Sequence, residues 1–168
     1  MTINSFSPVV TEECTVLVLG TMPGVDSLNG QEYYAHKQNA FWFIMGECFG
    51  ASFDLPYDER LQILTQNNIA LWDVLFQCQR EGSLDSKIRN EKANDIEAFI
   101  GLHKKLQRIL FNGKKAEQLF NKYIMLPKNS RGNYINNLKF FTVPSSSPAM
   151  AMLSKAQKLT IWKEALGL

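Results

Sequence analysis

The chain has 168 residues, 45% hydrophobic and 20% charged, with 11 Phe, 5 Tyr and 3 Trp. That is room for one folded domain with a sizeable core (a single domain over 1–168 is expected), and it excludes a disordered chain. The formal net charge of +2 conceals an imbalance: residues 1–100 carry 6 basic against 14 acidic side chains, and residues 101–168 carry 12 against 2. The basic half includes Lys104, Lys105, Arg108, Lys114, Lys115, Lys122, Lys128, Arg131, Lys139, Lys155, Lys158 and Lys163. Gathered on one face they would offer many phosphate contacts, and otherwise they are solvated helix faces.

Thr15–Gly20 (TVLVLG) is a short β-branched apolar run stopping at glycine, as a buried parallel strand does. Asn39–Phe49 has a helical pattern ending at Gly50, a natural C-cap. Asp58–Gln66 repeats the helical spacing with Leu61 and Leu64. Ile69–Phe76 (IALWDVLF) reads as a second strand, and Ala93–His103 as a helix carrying Ile96, Phe99 and Ile100. A third strand over Gln107–Asn112 precedes a helix over Lys114–Ile124. A fourth strand, Lys139–Val143, leads to a helix read as opening at Ser147-Pro148 and running to Leu166. Strands alternating with helices predict an α/β fold with a mainly parallel, four-stranded sheet covered on both faces.

In such sheets the functional site lies beyond the carboxyl ends of the strands. The first strand ends in Gly20-Thr21-Met22-Pro23-Gly24, followed by a loop of ~15 residues, a length that is functional more often than passive. It is neither a Walker loop nor a GxGxxG turn. The aromatics beyond it, Tyr33, Tyr34, Phe41 and Trp42, suit stacking on a flat ligand as well as a core; of the two tyrosines, one is expected to wall a pocket and the other to join the core. His36 is read first as a hydrogen-bonded residue fixing the loop. Asp73, set among apolar neighbours, is either a capped structural carboxylate or a ligand acceptor. Asn112-Gly113 ends the third strand, with Lys114 and Lys115 opening the next helix. Ser145, Ser146 and Ser147 end the fourth, either as a phosphate cradle or as a helix cap with spare serines.

No apolar run approaches the ~18 residues of a membrane-spanning helix. The start, Met1-Thr2-Ile3-Asn4-Ser5, lacks the basic and apolar blocks of a secretion signal, so a cytoplasmic protein is expected. Cys14, Cys48 and Cys78 form no CxxC pair; three reduced thiols are expected, and no metal site.

Taken together, GTMPGVDSL (20–28), YYAHKQNAFW (33–42), ALWDVL (70–75), GSLDSKI (82–88), FNGKKA (111–116) and VPSSSPA (143–149) resemble the uracil-DNA glycosylase superfamily, and most closely its hypoxanthine (deoxyinosine) branch. The resemblance spans nearly the whole chain. It implies a three-layer αβα sandwich and a monofunctional hydrolase that cleaves the N-glycosidic bond of a deaminated base in double- or single-stranded DNA, as a monomer, with no cofactor. Many relatives place Asp or Asn before the proline of the first motif to position water; Met22 stands there, and the resemblance passes that role to Asn39. Many uracil-specific relatives carry His where this chain has Ser145, which weighs against strong uracil activity. The iron–sulfur branches need four cysteines.

On these grounds Asn39 is the expected catalytic residue. Met22, Pro23, Tyr34, His36, Phe41, Trp42, Asp73 and Asn112 are expected to form the base pocket, with Asp73 accepting from the N1–H of hypoxanthine. Ser145, Ser146, Ser147, Lys114 and Lys115 are expected to hold DNA phosphates. The alternatives are a uracil or mismatched-thymine glycosylase, or a nucleic-acid-binding member of the fold with weak catalysis.

Overall fold

The computed structural model describes residues 1–127 and 133–168. Lys128 and Arg131, counted in the basic half, lie outside the described residues. The elements in chain order are β1 (Thr2–Asn4), β2 (Val16–Gly20), α1 (Val25–Gly30), α2 (Phe41–Phe49), α3 (Tyr57–Gln66), β3 (Ile69–Asp73), β4 (Leu75–Gln79), β5 (Arg89–Ala93), α4 (Ile96–Leu102), β6 (Arg108–Asn112), α5 (Lys114–Phe120), β7 (Lys139–Val143) and α6 (Lys155–Leu166).

Strands β3, β2, β6 and β7 pair in that order, all parallel, as the four apolar runs predicted. Because side chains alternate along a strand, each strand feeds both faces. Leu17, Leu19, Ile109 and Phe111 pack with Ile96, Phe99 and Ile100 of α4 and with Leu119 and Phe120 of α5. Val16, Val18, Ile69, Leu71 and Leu110 pack on the other face with Phe41, Trp42 and Met45 of α2, Leu64 of α3 and Trp162 of α6. The result is the expected three-layer αβα sandwich. Burying such side chains on two faces is the main stabilising term, at about 1.5–3 kcal/mol per large apolar residue.

The expected strand Ile69–Phe76 divides at Val74. The first part stays in the parallel sheet; β4 turns into a second, antiparallel sheet of order β1-β4-β5. Periodicity gave no sign of β5, because RNEKA is exposed or half-buried throughout. The last helix begins at Lys155, not at Ser147. Ser154 Oγ accepts from Gln157 N, and the Gln157 side chain accepts from Ser154 N, a complete capping box. Ser147 instead accepts from Ala149 N in a local turn, so it caps no helix. Among the described residues, no helix is long and apolar enough to cross a membrane.

Candidate active site

The carboxyl ends of the parallel strands lie side by side: Gly20 pairs in register with Asp73, and Asn112 with Val143. Beyond them is a cavity of about 320 Å³, at the small end for ligand sites and suited to one flat heterocycle. Met22 and Pro23 from the turn after β2, Tyr34, His36 and Asn39 from the loop before α2, Asp73, Asn112, and Ser145 to Ser147 all line it. The chain thus brings together most of the residues that the sequence assigned to the site.

Gly20 makes the junction possible. A Cβ there would lie 2.5 Å from Asp73 Oδ1 and 3.0 Å from Tyr34 Oη, so only glycine lets both polar atoms rest against the strand end. Asp73 is 3% exposed, and its Oδ2 is buried without a hydrogen-bond partner. Buried polar atoms are ordinarily satisfied, so this orphan oxygen at the cavity edge marks a place for a ligand atom. Burial, then the charge of Asp85, push the Asp73 carboxyl up to about 7, with Arg80 drawing it down. Burial and the nearby Asp73 hold the Tyr34 phenol well above its usual range, against a hydrogen bond with Asn112 that draws it down. Tyr34 itself has a left-handed backbone (φ 56°), the kind of local strain that recurs at functional sites.

Asn39 is fixed by the backbone two residues further on. Its Oδ1 accepts from Phe41 N at 2.9 Å, which sets the amide plane and leaves the second lone pair and Nδ2 for a water. On the far side, Asn112 and Ser146 clasp each other: Asn112 Nδ2 donates to Ser146 Oγ and Ser146 N donates to Asn112 Oδ1, both at 2.8 Å. Ala40 N donates to Ser146 O at 2.9 Å, tying the residue after Asn39 to the serine loop. Lys158, 3% exposed on α6, donates to Ser147 O from below at 3.1 Å. Burial and the neighbouring Lys155 push its ammonium pKa down.

Three expectations need correction: pocket lining by Phe41 and Trp42, a free Ser146 hydroxyl, and a helix opening at the serine loop. Phe41 and Trp42 do not line the cavity: both are fully buried under the sheet, where Phe41 stacks on Tyr34 at 4.1 Å and Trp42 Nε1 donates to Tyr33 O. They are the floor behind the pocket wall. The tyrosine pair divides as expected: Tyr34 walls the cavity, while Tyr33, 4% exposed, belongs mostly to the core. Of the three serine hydroxyls, that of Ser146 is buried and engaged by Asn112, so it is not free for a phosphate. The serine loop does not open the last helix, which starts at Lys155. Lys114 and Lys115 sit outside the cavity in the first turn of α5, next to Gly113 and hence to Ser145. His36 is exposed at the rim, its Nδ1 accepting from Gln38 N. The residues that sequence reasoning left unassigned are Thr21, Ser83 and Asp85. The GSLDSKI segment held the last two in plain view, but its placement depends on the β4–β5 hairpin that periodicity did not reveal. Among the described residues, no cluster of three or more His, Cys, Asp or Glu side chains could hold a metal ion.

A parallel sheet of this order, with a small cavity beyond its carboxyl edge, is an α/β fold with its ligand site in the customary place. The model of the Uracil DNA glycosylase superfamily matches residues 8–166, and the chain belongs to that superfamily. Over 114 residues, 67% of this chain and 72% of the relative, it is 40% identical to a protein named Hypoxanthine DNA glycosylase from Methanosarcina acetivorans. A protein of the same name from Methanosarcina barkeri is 38% identical over the same shares. The fold also matches the solution NMR structure of a candidate uracil DNA glycosylase from Methanosarcina acetivorans, with a TM-score of 0.76, 32% identity and 99% of each chain covered.

Proposed function

We propose that this chain is a monofunctional DNA glycosylase that removes hypoxanthine, the deaminated form of adenine, from DNA. The observation that carries the reading is Asp73: a buried carboxyl with an unpartnered oxygen at a strand end, facing a cavity that also holds Asn39. Such a group meets the polar edge of a purine that has left the stack. Tyr34, backed by Phe41, gives the base an aromatic wall.

Cleavage of the N-glycosidic bond builds oxocarbenium-like charge on the sugar, which phosphates and fixed dipoles stabilise. Asn39 does not titrate, so it acts by orienting water rather than by removing its proton. Met22, in the turn after β2, has no group able to do either. Ser145, Ser147 and the backbone of their loop grip the phosphate beside the flipped nucleotide, with Lys114 and Lys115 extending the path along the strand. The reading takes the enzyme to act as a cytoplasmic monomer on double- or single-stranded DNA, without cofactor. The test is incubation with oligonucleotides bearing one deoxyinosine, uracil, xanthine or mismatched thymine, followed by alkaline cleavage of abasic sites. Cleavage that is fastest at deoxyinosine supports the reading; preference for uracil or thymine replaces it with a pyrimidine glycosylase, and binding without cleavage leaves only a nucleic-acid-binding fold.

A further inference from the structure

The loop between β4 and β5 contributes Ser83, Leu84 and Asp85 to the wall of the cavity. It is anchored at both ends. Ser83 Oγ accepts from Val25 N of α1 at 2.8 Å, and Ile88, one turn beyond Asp85, is buried in the core. Arg80 ties the same loop to the first motif, donating from Nε to Gly82 O and from Nη2 to Pro23 O. Arg80 therefore spends two donors on backbone carbonyls, and its Nη1 is buried without a partner. Two carboxylates consequently face one small cavity, and the guanidinium between the loops bonds to neither.

We propose that Asp85 is a positioning residue for base excision: its carboxylate, sharing the cavity with Asp73, keeps the Asp73 carboxyl protonated, so that Asp73 donates that proton to the departing purine. The proposal rests on the glycosylase reading above and deepens it, replacing the N1–H acceptance expected of an ionised Asp73. As the N9–C1′ bond breaks, its electron pair stays with the purine. The Asp73 proton moves to the ring nitrogen N7, so the base leaves neutral. Water forms the new bond to C1′ and releases its proton to solvent, from which Asp73 is recharged. Like charges confined together cannot both ionise freely, and groups whose environments separate their proton affinities divide the acid and base roles.

The groups facing Asp73 fit this division. Asp85 and Arg80 approach from the β4–β5 loop, Tyr33 and Tyr34 from the loop before α2, and the neutral Asn112 and Ser146 from the ends of β6 and β7. His36 and Asp26 stand on the same cavity lining. Burial and Asp85 raise Asp73 to about 7, placing its proton within reach of physiological pH. Asp85 is itself raised by burial but drawn back by a hydrogen bond with Thr21 and then by the charges of Arg80 and Lys115.

The experiment is single-turnover excision of deoxyinosine between pH 5.5 and 8.5 by wild type, Asp85→Asn, Asp85→Glu and Asp73→Asn. Wild-type rate should fall above a midpoint near neutrality, and Asp73→Asn should lose that fall. Asp85→Asn should move the midpoint down by ~1 pH unit, a further tenfold loss on the alkaline limb. Asp85→Glu should return it toward the wild-type value, which a purely structural role would not do. As a readout independent of activity, carboxyl-carbon NMR of aspartate-labelled free protein should show the Asp73 midpoint moving by the same amount in Asp85→Asn. An unmoved midpoint in either measurement overturns the proposal while leaving the glycosylase reading intact. Wild type that excises no deoxyinosine at any pH defeats the reading itself.

Discussion

Replacing Asn112 by alanine should hurt this protein more than replacing its partner Ser146. Asn112 makes two bonds to one residue, both 2.8 Å and buried: one to the Ser146 hydroxyl and one from the Ser146 backbone. Asn112→Ala strands the Ser146 N–H, a buried donor that cannot turn elsewhere, and the hydroxyl with it. Orphaning a buried group costs ~1–3 kcal/mol, so the pair should cost ~3 kcal/mol, or ~6–12 °C in Tm for a domain of this size. Ser146→Ala strands only one amide hydrogen of Asn112 and keeps the backbone bond, so ~1 kcal/mol and ~2–4 °C are expected. Urea denaturation followed by the fluorescence of Trp42, Trp72 and Trp162 separates the two values. Because Ser146 O also holds Ala40 N, Asn112→Ala should in addition slow excision when rates are corrected for folded protein. The reasoning fails if the two variants lose equal stability, or if Asn112→Ala costs under ~1 kcal/mol.

Gly20→Ala should drive its new Cβ against Asp73 Oδ1 and cut excision sharply while costing ~1–3 kcal/mol, and wild-type kinetics would show that the carboxyl can move aside. Asp73→Asn should be more stable than wild type at pH 8. The folded-state carboxyl is raised to about 7, so its contribution to stability is intact below the unfolded value of 3.8 and lost as pH rises through 7. Thermal melts should therefore show the advantage of the amide growing from pH 4 to pH 7 and level above; an advantage independent of pH would refute it. Replacing Lys114 and Lys115 by alanine should weaken DNA binding in any sequence and reduce the salt slope by ~1 per lost phosphate contact, whereas an unchanged slope places them off the DNA path.

The parallel sheet was legible because TVLVLG, QRILFN and KFFTV each combine apolar density with a polar or glycine stop. The antiparallel extension was not, since RNEKA is polar on both faces and gains its pairing from β4 alone. The last helix was misplaced because Ser147-Pro148 imitates a cap, whereas the reciprocal box Ser154–Gln157 is what closes the orphan amides. At the site, Met22, Asp73 and Asn112 could be found from their positions at strand ends, whereas Asn39 was singled out only through the family resemblance. Phe41 and Trp42 could not be sorted from pocket residues by type, because an aromatic serves a wall and the floor beneath it equally well. Asp85 is placed by Arg80 bridging two loops 57 residues apart in sequence, a long-range contact no local pattern encodes.

The most direct test of the account compares wild type with Asn39→Ala on a DNA duplex carrying a single deoxyinosine, measuring single-turnover base release and equilibrium binding together. The account predicts that wild type releases hypoxanthine and that Asn39→Ala binds the duplex as tightly yet releases the base at least ~100-fold more slowly, the scale of losing one well-placed polar group. Base release by Asn39→Ala at the wild-type rate, or no release by the wild type, would contradict it.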